Sequence, residues 1–365
     1  MKKFKLLVLA GDGIGPEVTD CGLQLINAIE NKEDISFEIK KELVGGSAID
    51  AFGEAIKNET IELAKKSDAV LWGAVGGPKW DNPSASVRPE QGLLKIRSEL
   101  NLWANLRPVK IWKELIDSSS IKKEKLENVD ILVIRELVSG AYFGKPQERR
   151  IVNGKREAVD TIYYNEDQIA RIAHLGFKLA KKRRNKLHSI DKANVLESSR
   201  LWREVVQEIQ TQYTEVDFQN ILVDAATMHL IREPSDFDVV IASNMFGDII
   251  TDEASMLSGS LGMLPSASLS NLSDEGIGFG LYEPIHGSAP DITGLGIANP
   301  IAMFLCIAML FRHSLNLENI ALKIESSVAD TIKAGLRTRD IAIELKESIS
   351  TNEMATAIIN SYNKK

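Results

Sequence analysis

The feature that most constrains this chain is a recurrence. Between Phe4 and Asp252, short apolar runs alternate with stretches of helical periodicity, and several of the runs lead straight into a charged residue. Apolar runs of this length suit strands buried on both faces, and parallel strands need crossovers that helices supply. The expected order begins with strand Phe4 to Ala10, a helix opening at Pro16 with Val18, Cys21, Leu25 and Ile29 on one face, and strand Phe37 to Val44. Helix Glu54 to Lys66, strand Asp68 to Val75, an irregular loop through Gly76, Gly77, Pro78 and Pro83, and helix Pro89 to Leu100 follow. Then come extended Ala104 to Val109, strand Val129 to Ile134, helix Asn165 to Arg184, strand Lys186 to Ile190 and helix Val195 to Thr211. Strands Asp217 to Val223 and Phe237 to Ala242 precede a helix carrying Asp248 and Asp252, and two final helical stretches are expected, Asn299 to Asn316 and Leu317 to Ala334. The fold class is α/β, with a parallel or mixed sheet and flanking helices.

Two segments stand outside the alternation. Lys145 to Asp160 alternates around Asn153-Gly154 and reads as a hairpin arm with too little apolar face to stand alone. The basic run Lys181-Lys182-Arg183-Arg184 reads as a solvated helix end, favoured by the helix dipole.

Ligands bind outside the carboxyl ends of strands in open α/β sheets, and those ends are where the charges fall. Arg135, Lys192, Asp224 and the pair Asp248/Asp252 lie at successive strand ends or just beyond them. At i and i+4 of a helix, Asp248 and Asp252 put their Cβ atoms about 6 Å apart, which costs a few tenths of a kcal/mol unless a cation sits between them. A hard divalent cation would serve, and so would a plain acidic helix turn in solvent. Arg97, Arg107 and Arg135 could clamp a dianion, because guanidinium pairs bidentately with carboxylates, although any one of them alone reads as a surface ion pair. Converging cations, a lysine and acids make a site for an anionic substrate plus a divalent metal.

The first turn, Gly11-Asp12-Gly13-Ile14-Gly15, invites comparison with dinucleotide-binding loops. Its spacing is G-x-G-x-G and not G-x-G-x-x-G, so that fingerprint fails, and a glycine turn without cofactor contact is the better reading. With 365 residues, 44% apolar and 26% charged, the chain is long enough for two lobes. A net charge of −7 argues against a nucleic-acid binder, and the longest apolar run, Ile301 to Phe311, is too short to span a bilayer. Cys21 and Cys306 sit in apolar helical patterns and read as buried thiols, so a cytoplasmic location is expected. No phosphate cradle of the G-x-x-x-x-G-K-[ST] type is found, which disfavours a phosphoryl-transfer enzyme.

The ordered stretches Gly11 to Glu17, Asn105-Leu106-Arg107-Pro108, Arg135-Glu136 with Tyr142-Phe143-Gly144, Asp191 to Val195, Asn244 to Asp248 with Asp252, and Glu283 to Asp291 together carry a resemblance. The chain resembles the isocitrate/isopropylmalate family of metal-dependent β-decarboxylating dehydrogenases over nearly its whole length. The wording around Asp224 departs from the usual pattern, and segments Ile111 to Asn128 and Lys145 to Asp160 run longer than typical. The resemblance implies a two-lobed fold of the isopropylmalate dehydrogenase type, not a Rossmann fold. The first lobe, 1–106 plus 260–365, would bind NAD, and the second, 107–259, would carry the dimer contacts, metal and substrate residues.

The same resemblance implies Lys192 as base, with Asp224 beside it, and Tyr142 as proton donor. Arg97, Arg107 and Arg135 would hold carboxylates, and Leu93, Leu94 and Val195 would face an apolar substituent. A Mg²⁺ or Mn²⁺ ion would sit on Asp248 and Asp252, with Asp224 contributed by the partner subunit. NAD would meet Ile14, Gly76, Gly77, Glu90, Glu283, His286, Gly287, Ser288, Ala289, Asp291, Ile292 and Asn299. A homodimer with shared sites is implied, with a small-molecule substrate and neither nucleic acid nor membrane as partner. Isopropylmalate is the expected substrate, with a related diacid (isocitrate, homoisocitrate or tartrate) as the alternative.

Overall fold

The computed structural model describes residues 2–82, 85–273 and 276–365, so Pro83 of the expected loop lies outside the described residues. In chain order the elements are β1 (Lys2–Gly11), α1 (Gly15–Lys32), β2 (Ile35–Lys41), α2 (Gly46–Phe52), α3 (Asn58–Lys65), β3 (Ala69–Ala74), α4 (Pro89–Glu99) and β4 (Ala104–Lys110). A short helix α5 (Lys123–Leu126) is followed by β5 (Asp130–Glu136), β6 (Glu148–Val152), β7 (Lys155–Val159), α6 (Glu166–Lys181), β8 (Lys186–Asp191), α7 (Glu197–Gln210) and β9 (Asp217–Leu222). The remainder is α8 (Val223–Arg232), β10 (Val239–Ala242), α9 (Asn244–Ser255), β11 (Pro265–Ser270), β12 (Phe279–Pro284), α10 (Ile301–His313), α11 (Glu318–Lys333) and α12 (Thr351–Asn363).

The chain divides into two compact units. The first comprises 1–102, 112–120 and 258–365. Its strands follow the order β2-β1-β3-β12-β11, parallel except for the antiparallel pair β11 and β12. The second comprises 103–111 and 121–257, with strand order β4-β5-β10-β8-β9, parallel except for β4 against β5. Segment 112–120, expected in the second lobe, groups with the first unit: Ser118 Oγ donates to the carbonyl of Ile341 and Arg337 to that of Glu114.

Each unit follows from the pattern of its runs. β3 and β10 are buried at every residue, as unalternating apolar runs demand. In the first unit α10 is buried from Ile301 to Phe311, including Cys306, and it packs against α1, α11 and strands β3, β11 and β12. Burial pushes the Cys21 thiol up to about 12 and Cys306 higher still, so both stay protonated and inert. The hairpin forms with Asn153 and Gly154 both at positive φ, +51° and +75°, the two-residue turn that matches strand twist.

Some expectations need correction. The predicted helix Glu54 to Lys66 is shortened to α3, and a separate helix that the sequence did not announce, α2, precedes it and ends at Gly53, whose φ of +77° makes a left-handed cap. The predicted strand to Val223 stops at Leu222, and Asp224 sits in the first turn of α8. Helices do not end at Ala334: α12 follows, with Ser350 and Glu353 forming a capping box and Thr351 donating to Ala298 O at 2.7 Å. Arg183 and Arg184 are not a solvated helix end. Fully buried Asp238 accepts from Arg183 Nε at 2.7 Å and from the Arg184 backbone N–H at 2.8 Å, so the basic run answers a buried carboxylate.

Candidate active site

In the second unit Arg107, Arg135, Tyr142 and Asp252 come together around Asp248, whereas Lys192, Asp224 and Val195 do not join them. Ser243 leaves β10 in an extended conformation and α9 starts at Asn244, so Asp248 and Asp252 lie one turn apart on that helix. Arg135, the penultimate residue of β5 and 2% exposed, directs Nη1 at Asp248. Arg107 reaches the same carboxylate from β4 at 3.4 Å, and its Nη1 lies 3.9 Å from Asp252. Its orientation is set by Asn105 Oδ1, which accepts from Nε at 2.7 Å, and by Thr251 Oγ1, which accepts from Nη1 at 2.6 Å.

Tyr142 Oη donates to Asp248 Oδ2 at 3.0 Å, and the Arg135 guanidinium lies 5.6 Å from the centre of its ring. Burial, and then the Asp248 charge, hold the phenol above its ordinary value, so it stays protonated at neutral pH. Asp252 is held above the ordinary carboxylate value by partial burial and then by Asp248, against the pull of Arg107 and Arg135. A second cluster pairs Lys192, just past β8, with Asp224: Nζ donates to Oδ1 at 2.6 Å, and this bond holds the Asp224 carboxyl below its usual value. Val195, one turn beyond Lys192, is exposed.

The metal set fits in part within one chain. Asp248 and Asp252 present hard oxygen donors whose mutual repulsion a divalent cation would relieve. Among the described residues, no three carboxylate, imidazole or thiolate groups gather as a metal site. A third ligand therefore has to come from water, substrate or a second subunit.

In the first unit, α4 carries Leu93, Leu94 and Arg97, the two leucines half-buried and the arginine buried. Arg97 Nη2 bonds Glu283, at the end of β12, while its buried Nε has no partner among the described residues. The glycine turn is consumed by the protein itself. A Cβ on Gly13 would stand 2.0 Å from Ser288 O, and one on Gly11 1.9 Å from Ala74 O, so close backbone approach is what these glycines allow. Ile14 N–H donates to Ser288 O at 2.8 Å, and Asp12 accepts from the backbone of Gly46, Ser47 and Gly76 at 2.7 to 2.9 Å.

That packing joins the turn to the loop after β12, where the expected cofactor residues lie. Gly76 is at φ +104°, and a Cβ there would come 3.1 Å from Glu90 Oε1; Gly77 follows at +156°. Beyond Glu283 come His286, exposed Gly287, buried Ser288, Ala289 at φ +40°, exposed Asp291 and half-buried Ile292. His286 Nδ1 bonds Gly287 O at 2.9 Å; burial lowers the imidazole pKa, so the ring is neutral with Nδ1 as donor. Its Nε2 is then a buried acceptor with no partner among the described residues. Asn299 donates to Asp340 Oδ2 at 3.0 Å and accepts from Ile301 N–H at 3.0 Å, capping the start of α10.

Asp12, Asn105, Asn244, Thr251 and Asp340 were not singled out from the sequence, although each fixes a residue that was. Only Asp12, Asn105 and Asn244, lying inside the ordered motifs, carried any signal there.

A family model described as isocitrate/isopropylmalate dehydrogenase matches residues 5–358. A 3-isopropylmalate dehydrogenase of Aquifex aeolicus is 48% identical over 361 residues, 99% of this chain and 98% of its own. One from Priestia megaterium is 52% identical over 354 residues, 97% and 94% of the two chains. Among solved structures, isocitrate dehydrogenase from Methylococcus capsulatus superposes with a TM-score of 0.86 at 29% identity, covering 99% of both chains. A β-decarboxylating dehydrogenase from Thermococcus kodakarensis gives 0.75 at 30% identity, covering 99% of this chain and 96% of its own. Fold, ordered motifs and full-length similarity agree that the chain belongs to the isocitrate/isopropylmalate dehydrogenase family.

Proposed function

We propose that the protein oxidatively decarboxylates (2R,3S)-3-isopropylmalate to 4-methyl-2-oxopentanoate with reduction of NAD⁺, a step of leucine biosynthesis. The observation that carries this reading is full-length identity near one half to proteins named 3-isopropylmalate dehydrogenase, joined to a second unit whose Arg107, Arg135 and Tyr142 gather at Asp248.

Asp248 and Asp252, with Asp224 of the partner subunit, would hold Mg²⁺ or Mn²⁺, and the first unit would hold NAD⁺. When bound, the metal would supply Lewis-acid stabilisation of developing oxygen charge and NAD⁺ would supply the hydride acceptor. Arg107 and Arg135 bind the substrate carboxylates, with Arg97 assigned the same role from the first unit. Lys192, assigned as the base, takes the proton from the C2 hydroxyl as the C2 hydride departs, and the ketone forms. The C3 carboxylate then leaves as CO₂, its bonding pair passing into the enolate. Tyr142 gives its proton to C3, a role supported by a phenol that burial and Asp248 keep protonated.

On the cofactor side, the unpartnered acceptor His286 Nε2 suits the exocyclic amine of an adenine. Exposed Asp291, followed by Ile292 where NADP-using relatives typically carry Lys-Tyr, suits ribose hydroxyls and would repel a 2′-phosphate. Glu90, Gly76, Gly77, Gly287, Ala289 and Asn299 complete the proposed contacts. A homodimer is supported by the apolar side chains left exposed on α8 and α9 and just beyond α9, Met228, Ile231, Ile249 and Met256.

NADH formation followed with isopropylmalate, isocitrate and tartrate, each with Mg²⁺ and either NAD⁺ or NADP⁺, tests the reading. Isopropylmalate with NAD⁺ is expected to be used best, because a third carboxylate set against Leu93, Leu94 and Val195 would lose hydration without a partner. Equal catalytic efficiency with isocitrate would remove the substrate assignment, and a preference for NADP⁺ would remove the placement of the adenosine.

A further inference from the structure

Behind the substrate residues lies Asn244, which is fully buried at the first position of α9. All of its bonds point into the machinery around Arg135. Oδ1 accepts from Arg135 Nε at 3.0 Å and from Nη2 at 2.7 Å. Nδ2 donates to Ser139 O at 3.0 Å, and the backbone N–H donates to Tyr164 Oη at 2.8 Å. Rotating the amide by 180° would set Nδ2 hydrogens against the guanidinium donors and its oxygen against the Ser139 carbonyl, so the amide has one workable orientation. The ring of Tyr164 is in turn held edge-on against Trp202, with centroids 5.7 Å apart.

We infer that Asn244 is a positioning residue: its neutral amide holds the Nε/Nη2 edge of Arg135 and turns Nη1 toward Asp248 without adding a second negative charge to the one Asp248 already sets on that guanidinium. The inference rests on the proposed reading of Arg135 as a carboxylate ligand. Geometry supplies the orientation. The stem of Arg135 lies against Gly247, where a Cβ would come within 2.8 Å of Arg135 Cβ and Cγ, so the side chain is guided along α9 to its two anchors. Chemistry supplies the choice of amide over acid. A carboxylate of the same size would accept the same bonds, but it would form an ion pair with Arg135 and offset the charge meant for the substrate. With the anchor shortened to a hydroxyl, the charge would remain but the planar fork would lose its fixed direction.

The test uses the intact protein with Mg²⁺ and without NAD⁺, titrating 3-isopropylmalate by calorimetry, and a separate titration with NAD⁺. Variants Asn244→Asp and Asn244→Ser, checked for folding by circular dichroism, are compared with wild type and with Arg135→Lys. Both Asn244 variants are expected to bind isopropylmalate about tenfold more weakly or worse, with NAD⁺ affinity within about twofold of wild type. If only one of them folds, that one decides. A folded Asn244 variant that binds the diacid as wild type does, while Arg135→Lys has lost it, overturns the positioning role alone. Equal losses for isopropylmalate and NAD⁺ also overturn it, because they mark general damage. Wild-type binding by Arg135→Lys would overturn the assignment of Arg135 itself, and the inference with it.

Discussion

Tyr142 and His188 show how burial, as the largest cause, sets the chemistry of single residues. The Tyr142 phenol bonds Asp248 and is held above its ordinary value, which suits a group that gives up a proton only to a strongly basic carbon. Tyr142→Phe keeps the ring stacked near Arg135 and removes only the proton. The turnover number should fall about a hundredfold or more, with KM for isopropylmalate within about threefold, read from NADH formation. A Phe variant of near wild-type turnover would take the donor role from Tyr142.

His188, in β8, is buried against Phe237 with ring centroids 4.6 Å apart, and burial lowers its pKa from 6.5 to about 4. Between those values the unfolded chain binds a proton that the folded chain refuses. Stability is therefore lost as pH falls through that window, by roughly 3 kcal/mol for this group. Urea unfolding at pH 7 and pH 4.5 should show a smaller pH dependence for His188→Gln than for wild type. Identical pH dependence would mean that His188 is protonated without penalty.

At the scale of elements, α9 is the hinge between sheet and chemistry. It meets β5 at Gly247, the residue that lets the helix lie against the stem of Arg135. Gly247→Ala gains helix propensity of up to about 1 kcal/mol, yet its methyl would meet side-chain atoms next to the backbone, and overpacking of that kind costs about 1 to 3 kcal/mol. The second effect wins, because Cβ and Cγ of Arg135 cannot swing away without moving the guanidinium. A lower urea midpoint and a raised KM for isopropylmalate are expected together. A stabilised variant of unchanged KM would show that the helix can shift freely over the strand.

At the scale of the whole molecule, the proposed metal set draws Asp224 from a second copy of the chain, beside the Asp248 and Asp252 of the first. The expectation that Lys192 and Asp224 serve the neighbouring subunit can be tested by complementation. Lys192→Met and Asp248→Asn variants, each inactive alone, are unfolded together and refolded as mixed dimers. One site of each mixed dimer then combines a normal Asp248 from its own chain with a normal Lys192 from its partner, and activity should return. Mixed dimers that form but stay as inactive as either parent would place Lys192 in the site of its own chain.

The sequence by itself determined the alternation of buried strands and helices, the hairpin at Asn153-Gly154, and the neighbourhood of Arg135, Asp248 and Asp252, because each depends on local periodicity or on a residue at a strand end. Strands β11 and β12 and helix α12 escaped it, since Pro265–Ser270 is rich in serine and α12 packs on α1, at the other end of the chain, as well as on α11. Tertiary structure alone decided what each charge answers. Arg183 and Arg184, which read as solvent-facing, satisfy buried Asp238 some fifty residues on, and Arg97, which taken alone read as a surface ion pair, is buried and bonds Glu283 across 186 positions. The glycines of the first turn likewise make room for Ala74 and Ser288 carbonyls. Periodicity is a property of neighbours along the chain, whereas the partner of a buried charge is chosen by desolvation, which depends on whatever the folded chain brings within hydrogen-bond reach.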